Sequence, residues 1–234
     1  MPDRPAGKIT VALSRQRGSG GSYVGQLVAQ CLDLRYFDRE LLRDAAEYLH
    51  GHDPDKKAIE EPDSSWWSRL GNAYSLCGPD GHYVPPSSVV IYEGDLFAVE
   101  NQLIREIVDE HVAVIVGRGA AQILKGRPDV ITVFVHAPDQ WRIGRIQQVY
   151  HVADRAAAVR MVHDSDRDRA RFIRTLSGAD WTDARGYTLA VDTAALGFDA
   201  AADLIVRAAT SRVASGVGGA PRAGARETSR HEPR

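Results

Sequence analysis

Cysteine is nearly missing from this chain: Cys31 and Cys77 are the only two among 234 residues. Two thiols build no disulfide framework, and neither lies in a Cys-x-x-Cys zinc pattern. No apolar run approaches the roughly 20 residues that span a membrane. The polar start, Met1 to Lys8, has no secretory apolar core. Neither sign of charge dominates, since 29 Lys and Arg face 31 Asp and Glu. That balance excludes a surface built wholly for nucleic acid or anionic lipid, though not a local cationic site. The histidines are scattered: His50 and His52 make a poor helical metal pair, and no Ser/His/Asp or Cys/His triad can be assembled. A cytoplasmic protein without stable nucleic-acid or membrane partners is the expectation.

What is present is the pattern of an α/β protein. Hydrophobic residues make up 44% of a chain long enough to bury a core unaided. Ile9–Leu13, Leu34–Phe37, Val112–Val116, Val130–Val135 and Tyr187–Val191 read as short buried strands. Helical spacing follows from Ser22, over 40–49, 96–108, 139–149 and 153–176, and from Asp199 to Val213. Residues 50–94 change character, with Pro, Gly and Asp frequent and Trp66, Trp67, Tyr74 and Tyr83 dispersed. From 214 to 234 the composition is that of a disordered tail. Alternating strands and helices predict a parallel sheet covered on both faces, with ligands beyond the C-terminal strand ends. Ser14–Ser22, Asp38 and Gly117–Gly119 all fall at that edge.

A glycine-rich loop between a buried strand and a helix presents backbone N–H groups to phosphate. Set against the phosphate-loop pattern G-x-x-x-x-G-K-[ST], Gly20 takes the second glycine and Ser22 the hydroxyl that would meet Mg²⁺. Arg15 stands at the first glycine, however, and Gly21 at the lysine. Arg15 or Arg17 would then supply the missing cation, as a bidentate phosphate ligand. The rival reading is a dinucleotide fingerprint, with Gly18 and Gly20 as its first glycines and Asp38 as the ribose acid; its third glycine is Tyr23. A tight turn without ligand is the third.

The remaining candidates divide in the same way. Residues 155–174 hold six arginines against three aspartates, either a lid over phosphates or a solvated face of i,i+3 and i,i+4 pairs. Arg118, between two glycines after an apolar strand, is a phosphate clamp or a salt-bridge anchor. Asp38 holds Mg²⁺ or polarises an acceptor, or else caps a helix starting at Arg39. Trp181 and the Trp66–Trp67 pair read as packing.

The run I-T-V-A-L-S-R-Q-R-G-S-G-G-S-Y-V-G, from Ile9 to Gly25, resembles the opening of the cytidylate kinase-like family of P-loop kinases. The resemblance continues through Tyr36–Leu41, Val114–Ala120, Asp166–Arg169, Gly178–Trp181 and Tyr187–Thr193. It implies a three-layer P-loop kinase fold with a five-stranded parallel sheet, helices on both faces and a helical lid. One domain would cover 1–213, with 50–94 an acceptor-side excursion and 139–176 the lid. The implied activity is Mg²⁺-dependent transfer of the ATP γ-phosphoryl group to CMP or dCMP.

By the same resemblance, Gly18, Ser19, Gly20, Gly21 and Ser22 bind ATP phosphates, with Ser22 also at Mg²⁺, and Arg118 grips the acceptor. Asp38 lies near the acceptor. Asp166 and Arg169 match a lid Asp-x-x-Arg, with Asp168 and Arg171 fitting one step on. Where the better-known cytidylate kinases carry an Asp that helps read cytosine, this chain has Gly119. Arg15, Arg17, Asp38, Arg169 and Arg171 are therefore the expected catalytic groups. A nucleotide-binding regulator that has lost turnover is the alternative, and a dinucleotide-dependent oxidoreductase the more distant one.

Overall fold

The computed structural model describes residues 9–38 and 94–215. The helical stretch expected over 40–49, the excursion and Cys77 lie outside them, apart from Gly94. So does the tail from 216 on.

Five short strands form one fully parallel sheet. They are β1 (Thr10–Arg15), β2 (Arg35–Phe37), β3 (Ala113–Val116), β4 (Val130–His136) and β5 (Leu189–Asp192), in the order β2-β3-β1-β4-β5. In the centre, Val11 sits opposite Val114 on one side and Ile131 on the other. Parallel neighbours need crossovers, and helices supply them: α1 (Gly21–Leu32), α2 (Gly94–Glu110), α3 (Ala120–Ile123), α4 (Asp139–Val149), α5 (Arg155–Ser177), α6 (Thr193–Leu196) and α7 (Phe198–Ala214).

Strand alternation divides the core. Ile9, Val11 and Leu13 point to the face covered by Val24 and Val28 of α1 and Ile205 of α7. Ala12 with Ala113 and Ile115 points to the opposite face, under Ile104 and Ile107 of α2 and Leu124 beyond α3. Burial on both faces is why these strands read as continuous apolar runs. Each fully buried Ile or Leu contributes about 1.5–3 kcal/mol by burial.

The last strand begins later than its apolar pattern suggested. Asp183 caps a 3₁₀ turn, Ala184–Gly186, and Tyr187 leaves that turn before pairing starts at Leu189. The Tyr187 hydroxyl donates to the Trp181 carbonyl at 2.6 Å and accepts from Gln122 at 2.9 Å. Trp181 is core, edge-on to Phe134 at 5.6 Å between ring centres.

Helices α4 and α5 form a hairpin with its own small core of Ile143, Ile146, Ala158 and Val162. Asp154 caps α5, accepting from the amides of Ala156 and Ala157 at 2.9 and 3.1 Å. Gly178 closes its other end. Among the described residues no helix is long and apolar enough to cross a membrane.

Candidate functional site

The loop from Gln16 to Gly20 is sewn down from several sides. Gln16 N–H donates to the Val135 carbonyl at 3.0 Å, and the Gln16 side-chain oxygen accepts from Ala137 N–H at 3.2 Å. Ser19 is fully buried; its hydroxyl lies 2.8 Å from the Gln16 carbonyl and 3.2 Å from that of Val135. The Thr193 hydroxyl donates to the Ser19 carbonyl at 2.7 Å, joining the loop to the end of β5. The hydroxyl of Ser19, a residue expected among the phosphate ligands, is thus spent on the loop's own backbone. The Ser19 N–H also donates to the Gln16 carbonyl, at 3.3 Å.

The glycines mark where nothing else fits. Gly20, at φ +76°, caps α1, and a Cβ there would lie 2.3 Å from the Phe198 ring. A Cβ at Gly18 would come within 2.9 Å of the Arg142 carbonyl, and one at Gly21 within 2.4 Å of Arg15 Cβ. The glycine α-carbons are thus packed closely against Arg142, Phe198 and Arg15, and the loop leads into the first turn of α1, whose leading amides have no intrahelical carbonyl to meet. Ser22 is exposed on that turn. A glycine loop at a positive helix end suits a polyphosphate.

One strand over, Gly117, Arg118 and Gly119 all adopt left-handed backbone, with φ of +88°, +51° and +71°. For an arginine that conformation costs on the order of 1 kcal/mol, and such strain concentrates at binding sites. Arg118 is only 7% exposed. A Cβ at Gly119 would lie 2.5 Å from Leu176 Cδ2 on α5, so an aspartate there would have to displace the end of the Leu176 side chain and adopt a left-handed backbone. Asp38 follows β2, half-buried. The sheet thus brings the glycine loop and Arg118 to one edge, with Asp38 leaving the neighbouring strand at the same edge.

The hairpin meets this edge through an arginine that pattern reading missed. Arg142, 2% exposed, donates to the Arg17 carbonyl at 3.2 Å and to Asp166 at 2.7 Å, and it also binds Asp139. His163 lies 3.0 Å from the other Asp139 oxygen. The Arg142 guanidinium, helped by His163, holds the Asp139 carboxyl below the usual carboxylate range. Asp166, expected at the nucleotide, anchors α5 to α4 here, with Arg169 3.8 Å away. The available signal was spacing: Arg142 lies one helical turn before Ile146, on the apolar stripe of α4.

The other α5 arginines largely follow the ion-pair reading. Arg167 pairs with Asp164 and Arg171 with Asp168, both at i,i+3, and the Arg171 side chain is 73% exposed. Arg169, 28% exposed, is the more enclosed of the two expected catalytic lid groups. Beside Gly20 a second missed cluster gathers. Tyr23 and Trp141 meet Phe198 edge-on at 5.5 and 5.9 Å, and the Arg145 guanidinium sits 4.4 Å above its ring centre. Burial pushes the Arg145 pKa down.

A family model described as the cytidylate kinase-like family matches residues 10–195. Among solved structures, the chain is similar to an uncharacterized protein from Eubacterium ventriosum ATCC 27560, at 21% identity and a TM-score of 0.64, covering 87% of this chain and 99% of that one. Shikimate kinase from Acinetobacter baumannii also matches, at 14% identity and a TM-score of 0.44, over 87% of this chain and 94% of that one. A gluconokinase from Sinorhizobium meliloti 1021 follows at 13% and 0.44, over 91% and 95%. No curated protein matches.

Proposed function

This chain belongs to the cytidylate kinase-like family, and from that premise we propose that it transfers the γ-phosphoryl group of ATP to a small acceptor, with nucleoside monophosphates the first class to test. The observation that carries the proposal is the glycine cradle at the start of α1, pinned by Ser19 and Thr193, with the buried Arg118 following the neighbouring strand β3. Phosphoryl transfer needs positioning and charge cancellation more than covalent chemistry. In this reading Gly18 to Ser22 bind the ATP phosphates through backbone amides, Arg118 holds the acceptor, and Asp38 orients its attacking oxygen.

Mg²⁺ fits the residues present, since the Ser22 hydroxyl and the Asp38 carboxylate are oxygen donors of the hard kind this ion takes. Bound with the nucleotide, it would neutralise phosphate charge. Arg169 completes the cationic wall from α5 when the hairpin closes, which excludes water. Arg171 joins it only if closure turns that helix face inward.

Family resemblance puts CMP and dCMP at the head of the acceptor panel. With Gly119 where a cytosine-reading aspartate would stand, and the end of the Leu176 side chain against it, weak discrimination among bases is the expected result. A second reading, a nucleotide-binding regulator without turnover, is favoured by Gly21 at the lysine position. The dinucleotide oxidoreductase is disfavoured by the strand order, since that fold runs 3-2-1-4-5 from its outer strand.

The test is ADP release by purified protein with a panel of nucleoside monophosphates, with and without Mg²⁺. Acceptor-dependent release that falls about 10²-fold or more in Arg118→Ala supports transfer. Tight ATP binding with no stimulation by any acceptor favours the regulator, and no ATP binding removes both.

A further inference from the structure

The two departures from the standard phosphate loop, Arg15 for its first glycine and Gly21 for its lysine, are in contact. A Cβ built at Gly21 would lie 2.4 Å from Arg15 Cβ and 2.9 Å from its Cγ. No side chain can stand at 21 while the Arg15 stem runs where it does. Further along, a Cβ at Gly117 would fall 1.9 Å from Arg15 Nη1 and 2.9 Å from Cζ. The guanidinium therefore lies across the α-carbon of Gly117, next to Arg118, at the C-terminal edge of the sheet. Gly21 clears the stem and Gly117 clears the head. Two glycines, one opening α1 and one following β3, form one slot for one side chain.

Arg17 turns elsewhere. Its guanidinium sits 5.7 Å above the Tyr150 ring, and its carbonyl receives Arg142 from the hairpin. It lies on the lid side of the loop, whereas Arg15 spans from the glycine cradle to the Arg118 turn. In the proposed reaction that span is where phosphate passes from donor to acceptor.

We propose that Arg15 is the catalytic cation of this loop, taking the place of the lysine from the opposite end of the motif, with Gly21 and Gly117 as its obligatory companions. A lysine at the usual position reaches phosphate as a point charge from the helix. Arg15 delivers a planar fork from the strand, able to hold two oxygens at once. The exchange of charge between positions 15 and 21 is then a single coupled change rather than two losses. It predicts that neither position can be reverted alone.

This inference rests on the phosphotransfer reading, so its test includes a binding measurement independent of turnover. Arg15→Met keeps the stem and removes the charge. Turnover should fall about 10²- to 10³-fold, with affinity for the non-hydrolysable analogue AMP-PNP with Mg²⁺ at least about tenfold weaker and the melting temperature nearly unchanged. Arg17→Met should reduce turnover far less. Gly21→Lys alone should lose turnover, because Arg15 occupies its space. The double variant Arg15→Gly/Gly21→Lys, which restores the standard pattern, should exceed both of its component single variants by about tenfold or more, a coupling of over 1 kcal/mol.

Turnover and AMP-PNP affinity within twofold of wild type in Arg15→Met would overturn the proposal. So would a double variant no better than the product of the two single effects. If wild type binds AMP-PNP but stimulates no acceptor, the transfer reading falls, and the affinity of Arg15→Met still decides whether Arg15 meets the phosphates. Absence of nucleotide binding by wild type removes both.

Discussion

The glycine loop and helix α5 are both rich in arginine, and they use it in opposite ways. Around the loop, Arg15 is threaded through a slot between two glycines and Arg142 is buried against the Arg17 carbonyl. Along α5, Arg167 and Arg171 face solvent in loose pairs with aspartates three residues earlier. Equal charges therefore carry unequal energies. A buried guanidinium that satisfies backbone and carboxylate oxygens is costly to remove, while an exposed i,i+3 pair contributes almost nothing.

The sharpest way to break the comparison is Arg142→Met. It strands Asp166 and the Arg17 carbonyl, and a loss of about 3 kcal/mol is expected from breaking a buried pair. For a chain of this size that is a fall of roughly 6–12 °C in melting temperature, read by calorimetry. Loosened contact between hairpin and loop should also weaken nucleotide binding in the same variant.

Gly20→Ala tests the cradle itself. Its Cβ would meet the Phe198 ring at 2.3 Å in a left-handed backbone position, so about 1–3 kcal/mol of destabilisation is expected. Denaturant midpoints measure it, and an unchanged midpoint would mean that Phe198 moves aside freely.

The link through Asp139 is testable by pH. Its carboxyl pKa is depressed in the fold, chiefly by Arg142. A depressed acid stabilises above its unfolded value and loses that contribution as pH falls through the folded one. Melting temperature should therefore drop in acid more steeply in wild type than in Asp139→Asn, with the two curves differing most near neutrality. The smallest effect belongs to Arg167→Ala on the solvent face of α5, where less than about 0.5 kcal/mol is expected. A larger loss there would show that α5 depends on its surface pairs after all.

Much of this was legible in the chain. The strands announced themselves as apolar runs because they are buried on both faces, and the loop's glycines stood between strand and helix where phosphate cradles occur. The boundary at Tyr187 was misread because a β-prone run begins directly after a turn that Asp183 caps. Arg142 was overlooked because a charged residue on an apolar stripe reads as an interruption. Only its partners, Arg17, Asp139 and Asp166, explain it, and they come from three separate places in the chain.

The sequence by itself determined the class of fold, the sheet edge at which the glycine loop emerges and the family, since strand patterning and loop spacing are local properties of neighbouring residues. Which arginines are enclosed and which face solvent was decided by tertiary structure alone. Burial and contact depend on strands brought together from distant positions, so Arg15, Gly21 and Gly117 form one slot only after β1, α1 and β3 have packed.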